Sequence, residues 1–81
     1  MIIPSRTFQR RFDGLDAAVQ RRVIDKVEGL DANLHGSGHE RLQGRSEYKL
    51  RVGDWRVLYR FDLSKNEVYL LTVRHRREVY R

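Results

Sequence analysis

The most restrictive feature of this sequence is a change in the spacing of its apolar residues near Glu47. From that point apolar and polar residues alternate, first up to Val52 and again from Trp55 to Phe61, with Gly53 and Asp54 between the two segments. Alternate residues of a β-strand point to opposite faces, and Gly followed by Asp is typical of a two-residue type II′ turn. The pattern therefore predicts a β-hairpin with one strongly apolar face.

A two-residue turn also predicts which residues face each other across the hairpin. It places Arg51 opposite Arg56 on the polar face, with Lys49 one pair further along. Like charges in that position destabilise a sheet by roughly 0.2–1 kcal/mol. We interpret the retained pair as a preformed anion site. The alternative is that both arginines are solvated or paired with acidic residues such as Glu47.

Two helices are predicted before the hairpin. Ser5 and Asp16 can each accept backbone hydrogen bonds at the start of a helix, and the first helix should extend through about Phe12. The second helix carries an apolar stripe with helical spacing, formed by Val19, Val23, Val27, Leu30 and Leu34. Because the glycine-rich segment 36–38 follows, we expect this helix to end there.

A further strand is predicted from about Val68 to Val73, and it should be interior because it is apolar at most positions. If Asn66 adopts a left-handed conformation in a three-residue loop, Arg74 lies opposite Arg56; a two-residue loop places His75 there instead. In either register, the same end of the sheet receives the basic and aromatic residues that follow, Arg76, Arg77, Tyr80 and Arg81.

These elements predict a single α+β domain that spans residues 1–81. An N-terminal strand and a helical hairpin pack on one face of a small, mostly antiparallel sheet, in the order β-α-α-β-β-β. The opposite face of the sheet, which carries the basic residues, is expected to remain open.

The charge distribution favours an anionic partner. The net charge is +6, and residues 41–81 hold eleven basic and five acidic side chains, whereas residues 1–40 hold six of each. Fourteen of the seventeen cations are arginine, which binds phosphate through paired hydrogen bonds. Nucleic acid is therefore the first candidate, and the alternative is a solvated basic face.

Several classes of site are disfavoured by residues that the sequence lacks. It has no cysteine, which excludes disulfides, cysteine-ligated metals and thiol nucleophiles. His35 and His39 have no third ligand near them in the sequence, so we predict neither a metal nor a cofactor. The chain shows no secretion signal and no membrane-spanning apolar run, and a cytoplasmic location is expected.

Three segments carry a resemblance to a known family. They are residues 42–44 (LQG), residues 48–59 (YKLRVGDWRVLY) and residues 75–80 (HRREVY). Together they resemble the RelE/ParE superfamily of toxins from type II toxin–antitoxin systems, in particular its RelE-like branch. The predicted order of helices and strands is similar to that of the superfamily as well.

The resemblance implies a ribosome-dependent endoribonuclease that cuts messenger RNA without a metal, through attack of the RNA 2′-hydroxyl. The implied partners are a cognate antitoxin in a hetero-oligomer, the ribosome and messenger RNA, with no membrane association. Two alternatives remain open: a ParE-like inhibitor of DNA gyrase, and a degenerate, non-catalytic module that binds an antitoxin.

By motif position, the resemblance implies five catalytic residues, Lys49, Arg51, Arg56, Arg76 and Tyr80. Arg51 and Arg56 would stabilise charge on the phosphate, Tyr80 or Lys49 would act as base, and Arg76 would serve the leaving group. The neighbouring cations and histidine are predicted to bind RNA: Arg60, Arg74, His75, Arg77 and Arg81.

Overall fold

The computed structural model of the protein describes residues 1–79. Within this range the chain forms five strands and three helices. In chain order these are β1 (Ile2–Pro4), α1 (Arg6–Asp13), α2 (Ala17–Ala32), β2 (Glu40–Arg41), β3 (Tyr48–Val52), β4 (Trp55–Asp62), β5 (Glu67–His75) and α3 (Arg76–Val79).

The strands form one sheet in the order β1-β5-β4-β3-β2, in which β1 runs parallel to β5 and the other neighbours are antiparallel. The predicted α+β fold is confirmed, and so is the interior position of β5. The elements β2 and α3 were not predicted. They contain two and four residues, so neither is long enough to produce a recognisable period.

The hydrophobic core lies between the two longer helices and the apolar face of the sheet. Phe8 of α1 and the stripe of α2 pack there against inward-facing residues of the strands, Val52, Val57, Tyr59, Val68, Leu70 and Val73. The caps form as expected: Ser5 Oγ accepts from the N–H of Phe8 at 3.0 Å, and Asp16 Oδ1 accepts from the N–H of Val19 at 3.0 Å. The apolar stripe and the caps together determine how the helices pack.

The expected length of the second helix was wrong at its C-terminal end. α2 ends at Ala32, and Asn33 leaves the helical conformation with φ −127° and ψ 41°. Turns then form as the N–H groups of Gly36 and Ser37 both donate to the carbonyl of Asn33. Leu34 is nevertheless only 1% exposed. Its apolar side chain is buried from a turn, so the stripe correctly predicted burial although it did not predict the backbone.

The open face of the sheet is partly covered. Leu42, which follows β2, is buried against Leu58 of β4 in a small second cluster. The N–H of Leu42 donates to the carbonyl of Glu47 at 2.9 Å, which holds the β2–β3 connection close to the sheet. Leu58 lies between Arg56 and Arg60 on β4, so this cover divides the open face into one part near the β3–β4 turn and another around Arg60.

The register between β4 and β5 places Arg74 opposite Arg56, as one of the two alternatives predicted, and Asn66 has the expected positive φ of 54°. The loop, however, has four residues, and β5 contains a bulge at Leu71. Without this extra residue Val73 would face Arg56. The hydroxyl of Ser5 donates to the carbonyl of Leu71 at 2.7 Å and so supports the bulge.

Replacing Ser5 with alanine should lower the free energy of unfolding by about 1–3 kcal/mol, because it removes the cap of α1 and leaves the bulge carbonyl without its donor. Urea denaturation monitored by circular dichroism measures this change. Thr7→Ala removes a hydroxyl from an exposed position of the same helix, and its effect should stay within about 0.5 kcal/mol. Equal effects of the two substitutions would contradict a role for Ser5.

Candidate nucleic-acid interface

Three arginines lie side by side on three neighbouring strands, at the end of the sheet where the β3–β4 turn lies. Arg51 of β3 pairs with Arg56 of β4, which pairs with Arg74 of β5, all on the face away from the helices. We refer to Arg51, Arg56 and Arg74 as the arginine row. Gly53 adopts φ +60°, as the first position of a type II′ turn requires, and this turn determines the register. The predicted opposition of Arg51 and Arg56 is confirmed.

A carboxylate that the sequence analysis missed lies at one end of this row. Glu40 of β2 is directly opposite Lys49 of β3. One of its oxygens, Oε2, lies 3.1 Å from Lys49 Nζ and 3.1 Å from Arg51 Nη2. The hydrogen bond from Lys49, together with that from Arg51, holds the pKa of Glu40 below its ordinary value. Glu40 is therefore a carboxylate at neutral pH.

The two cations bound to Glu40 differ in their access to solvent. The Lys49 side chain is 9% exposed, whereas that of Arg51 is 63% exposed. Lys49 thus lies beneath the surface, and Arg51 can meet a ligand from solvent without unfolding any part of the sheet. No sequence pattern could reveal Glu40, because it lies on a two-residue strand that is recognisable only once it pairs with β3.

Arg56, in the centre of the row, is held over its own turn. Its Nη1 donates to the carbonyl of Gly53 at 2.7 Å and to that of Trp55 at 2.8 Å. Arg74 is half-buried, and its buried Nε has no hydrogen-bond partner among the described residues. An unpaired buried donor is costly, because it has lost its hydrogen bond to water without gaining one in the protein.

The segment after β5 is tied to the same end of the sheet. The N–H of Arg76 donates to the carbonyl of Asp54 at 2.7 Å, and Arg76 Nε lies 3.7 Å from Asp54 Oδ1. Glu78 forms an ion pair with Arg11 of α1 at 3.0 Å. These contacts place Arg76 beside the β3–β4 turn, and its role in catalysis stays a prediction.

His75 occupies the junction between β5 and α3. Its ring makes an edge contact with Trp55, with the centroids 5.4 Å apart, and its Nδ1 accepts from the N–H of Arg77 at 3.3 Å. The Arg77 residue is exposed. Tyr80 and Arg81, predicted as a catalytic and an RNA-binding residue, lie outside the described residues.

Arg60 is separate from the arginine row. It follows Arg56 by four residues on β4, which corresponds to about 13 Å along a strand. Its Nη2 donates to Ser46 Oγ at 3.0 Å and lies 3.7 Å from Glu47 Oε1. Arg60 can therefore reach only a part of a ligand that extends well beyond the row.

His39, considered in the sequence only as a metal ligand, is part of an aromatic cluster on the core side of the sheet. Its ring stacks on Phe61 with centroids 4.0 Å apart, and Nδ1 lies 2.7 Å from the hydroxyl of Tyr59. Burial, with smaller contributions from Tyr48 and Glu40, raises the pKa of Tyr59 to about 12. The Tyr59 hydroxyl is therefore protonated and available as a donor at neutral pH.

Residues 1–79 lack two kinds of feature. Within them no group of three or more His, Asp or Glu side chains is arranged to hold a metal ion. None of the helices in the same range is long and apolar enough to cross a membrane.

The fold is shared with solved toxin structures. The archaeal RelE–RelB complex from Pyrococcus horikoshii OT3 matches with 19% identity and a TM-score of 0.78, over 96% of each chain. The RelBE2 toxin–antitoxin complex from Mycobacterium tuberculosis matches with 23% identity and a TM-score of 0.77, over 93% of this chain and 88% of that one. The isolated E. coli RelE toxin matches with 19% identity and a TM-score of 0.78, over 99% and 89%.

Sequence comparison with curated proteins finds no match. A family model does match, over residues 2–80, and its description is the ParE toxin of the type II toxin–antitoxin system parDE. This match covers nearly the whole chain and agrees with the shared fold. The protein therefore belongs to the ParE toxin family, within the RelE/ParE superfamily, and is a toxin of a type II toxin–antitoxin system.

Proposed function

We propose that this toxin is a ribosome-dependent endoribonuclease that cuts messenger RNA. The observation that carries the proposal is the arginine row with Glu40 at its end, because it combines phosphate-binding cations with a carboxylate on one open surface. In the reaction, the RNA 2′-oxygen bonds to the adjacent phosphorus and the bond from phosphorus to the 5′-oxygen breaks. The products are a 2′,3′-cyclic phosphate and a 5′-hydroxyl.

The arginine row supplies the electrostatic part of this reaction. Negative charge grows on the phosphate oxygens as the 2′-oxygen attacks, and guanidinium groups already in place stabilise it. Arg51 is exposed and Arg56 and Arg74 are half-buried, so the three guanidinium groups line one surface to which an RNA phosphate can bind. A preorganised donor of this kind contributes about 3–4 kcal/mol to the transition state.

The reaction also needs a group that removes the 2′-hydroxyl proton. Lys49 acts as a cation in its ion pair with Glu40, which favours Glu40 over Lys49 as the base. Glu40 is deprotonated at neutral pH, as a glutamate with an ordinary or lowered pKa is, and a carboxylate oxygen can accept the proton. Tyr80 remains a candidate for the second proton transfer, the one to the leaving 5′-oxygen. Arg76, which lies beside the turn, is assigned to the same oxygen as a cation.

The antitoxin partner is supported by the solved relatives, several of which are toxin–antitoxin complexes. We propose that the cognate antitoxin covers the arginine row with an acidic or amphipathic segment. Such a segment would offer carboxylates to the cations and so exclude RNA from the open surface.

A second candidate is inhibition of DNA gyrase, and it is favoured by the family model, which describes a ParE toxin. In that case the arginine row would bind a protein or DNA surface and Glu40 would have no proton to accept. The two candidates therefore differ in whether RNA is cut, although both would arrest growth.

Toeprinting on purified ribosomes distinguishes the two candidates. We expect the protein, freed of antitoxin, to create messenger ends within codons in the ribosomal A site and none on free messenger. The matched assay mixes the same preparation with gyrase and plasmid DNA. Intact messenger together with gyrase–DNA cleavage complexes would overturn the nuclease assignment.

A further inference from the structure

β2 carries Glu40 but is poorly suited to hold it by backbone pairing alone. The strand has two residues, lies at the edge of the sheet and pairs only with Tyr48 and Lys49 of β3. Two residue pairs at an edge give little stability of their own. The carboxylate nonetheless lies in contact with Lys49 and Arg51. Leu42 holds the segment after β2 to the sheet, and a separate set of contacts holds the segment before it.

The residue immediately before β2 is held at three points. His39 Nε2 lies 2.9 Å from the carbonyl oxygen of Leu34, Nδ1 lies 2.7 Å from the Tyr59 hydroxyl, and the ring stacks on Phe61. A carbonyl oxygen only accepts, so we assign the proton to Nε2. With the proton on Nε2, Nδ1 accepts from the Tyr59 hydroxyl, and both ring nitrogens of His39 have a partner.

The side chains that hold His39 belong to the hydrophobic core or pack against it. Tyr59 is 2% exposed, and Phe61 packs against the core from the same strand, β4. β4 is the middle strand of the sheet and pairs along most of its length with β3 and β5. The His39 ring is thereby attached to the strand that also carries Arg56.

Adjacent residues of an extended chain point to opposite faces. The His39 ring is on the core side, so the Glu40 side chain must project on the side of the arginine row. We propose that His39 is a positioning residue, which holds Glu40 against Lys49 and Arg51 by anchoring the start of β2 to Tyr59, Phe61 and Leu34. The catalytic meaning of this anchor rests on the proposed function, but the anchor itself does not.

The test compares His39→Ala with His35→Ala, which removes an exposed histidine from the same loop. Carbon-detected NMR titration of the isolated toxin reports the pKa of the Glu40 carboxyl group. In His39→Ala we expect that pKa to rise toward its ordinary value, because Lys49 and Arg51 lose their contact with it. In His35→Ala it should remain low, as in the unchanged protein.

Amide hydrogen exchange provides a second, independent measurement of whether the start of β2 is held in place. The N–H of Leu42 bonds to the carbonyl of Glu47 and closes the β2–β3 connection. We expect its exchange to become at least about tenfold faster in His39→Ala, while the amides of β4 keep their protection. A loss of global stability alone would affect all of these amides and would leave the Glu40 pKa of the folded form unchanged.

Tyr59→Phe keeps the test decisive if His39→Ala does not fold, because it removes one hydroxyl and keeps the ring. It should move the Glu40 pKa and the Leu42 exchange in the same direction by a smaller amount. Unchanged values in the folded variants would overturn the proposal. None of these measurements needs a ribosome. A gyrase inhibitor would therefore still show the anchor, whereas an endoribonuclease that lacks the anchor would cut messenger RNA but give unchanged values in these measurements.

Discussion

Replacing Arg56 with alanine should slow messenger cleavage on the ribosome by about 10²–10³-fold and abolish growth arrest. Arg56 lies between Arg51 and Arg74, and its guanidinium is held in place by the carbonyls of Gly53 and Trp55. It can therefore meet developing charge without reorganisation. Single-turnover cleavage of ribosome-bound messenger measures the rate, and circular dichroism checks that the sheet is retained.

Arg21→Ala is the matched control for this substitution. It removes the same charge from an exposed position on α2, in the helical layer of the molecule. We expect cleavage by Arg21→Ala to stay within about twofold of the unchanged protein. Full toxicity of a folded Arg56→Ala variant would contradict the role assigned to the arginine row.

Glu40→Gln is expected to lower the cleavage rate by about 10²–10⁴-fold, the range typical of a positioned general base. Glutamine has a similar shape but cannot accept the 2′-hydroxyl proton. It also removes a negative charge that competes with phosphate for Lys49 and Arg51. Binding to ribosomes carrying messenger should therefore be unchanged or tighter, so the loss should appear in kcat rather than in KM.

Glu28→Gln makes the same chemical change at an exposed position of α2 and should leave both constants unaltered. The informative contrary result is faster cleavage by Glu40→Gln. That result would mean that Glu40 only masks the cations, and the base would then have to be sought elsewhere. Equal loss of binding and of rate would instead indicate that Glu40 organises Lys49 and Arg51.

The hairpin was predictable in detail because every determinant of its register is local. Gly53 takes the positive φ of the turn, and alternation on both sides assigns each residue to a face. The pairing of Arg51 with Arg56 follows from two residues of turn and a period of two. The N-caps Ser5 and Asp16 were predictable for the same reason, since a cap acts within three residues along the chain.

Contacts between distant segments were harder to foresee. Arg74 faces Arg56 because a four-residue loop is compensated by a bulge, and that bulge is held by Ser5 from the other end of the chain. α2 stops at Ala32, before the glycine-rich loop, while Leu34 is buried from the turn that follows. The sequence predicted the Arg56–Arg74 register as one of two alternatives, but not the bulge that produces it. It predicted the burial of Leu34, but not the turn from which that side chain is buried.

The sequence by itself determined the two helices, the antiparallel hairpin and the side of the sheet on which Arg51 and Arg56 lie, because short-range periodicity and turn chemistry suffice for these features. Only the tertiary structure decided that Glu40 joins those cations and that His39 is bound to Tyr59. A strand of two residues is too short to show the alternation of apolar and polar residues that indicates a strand. Its place depends on pairing and side-chain contacts that exist only after the rest of the sheet has formed.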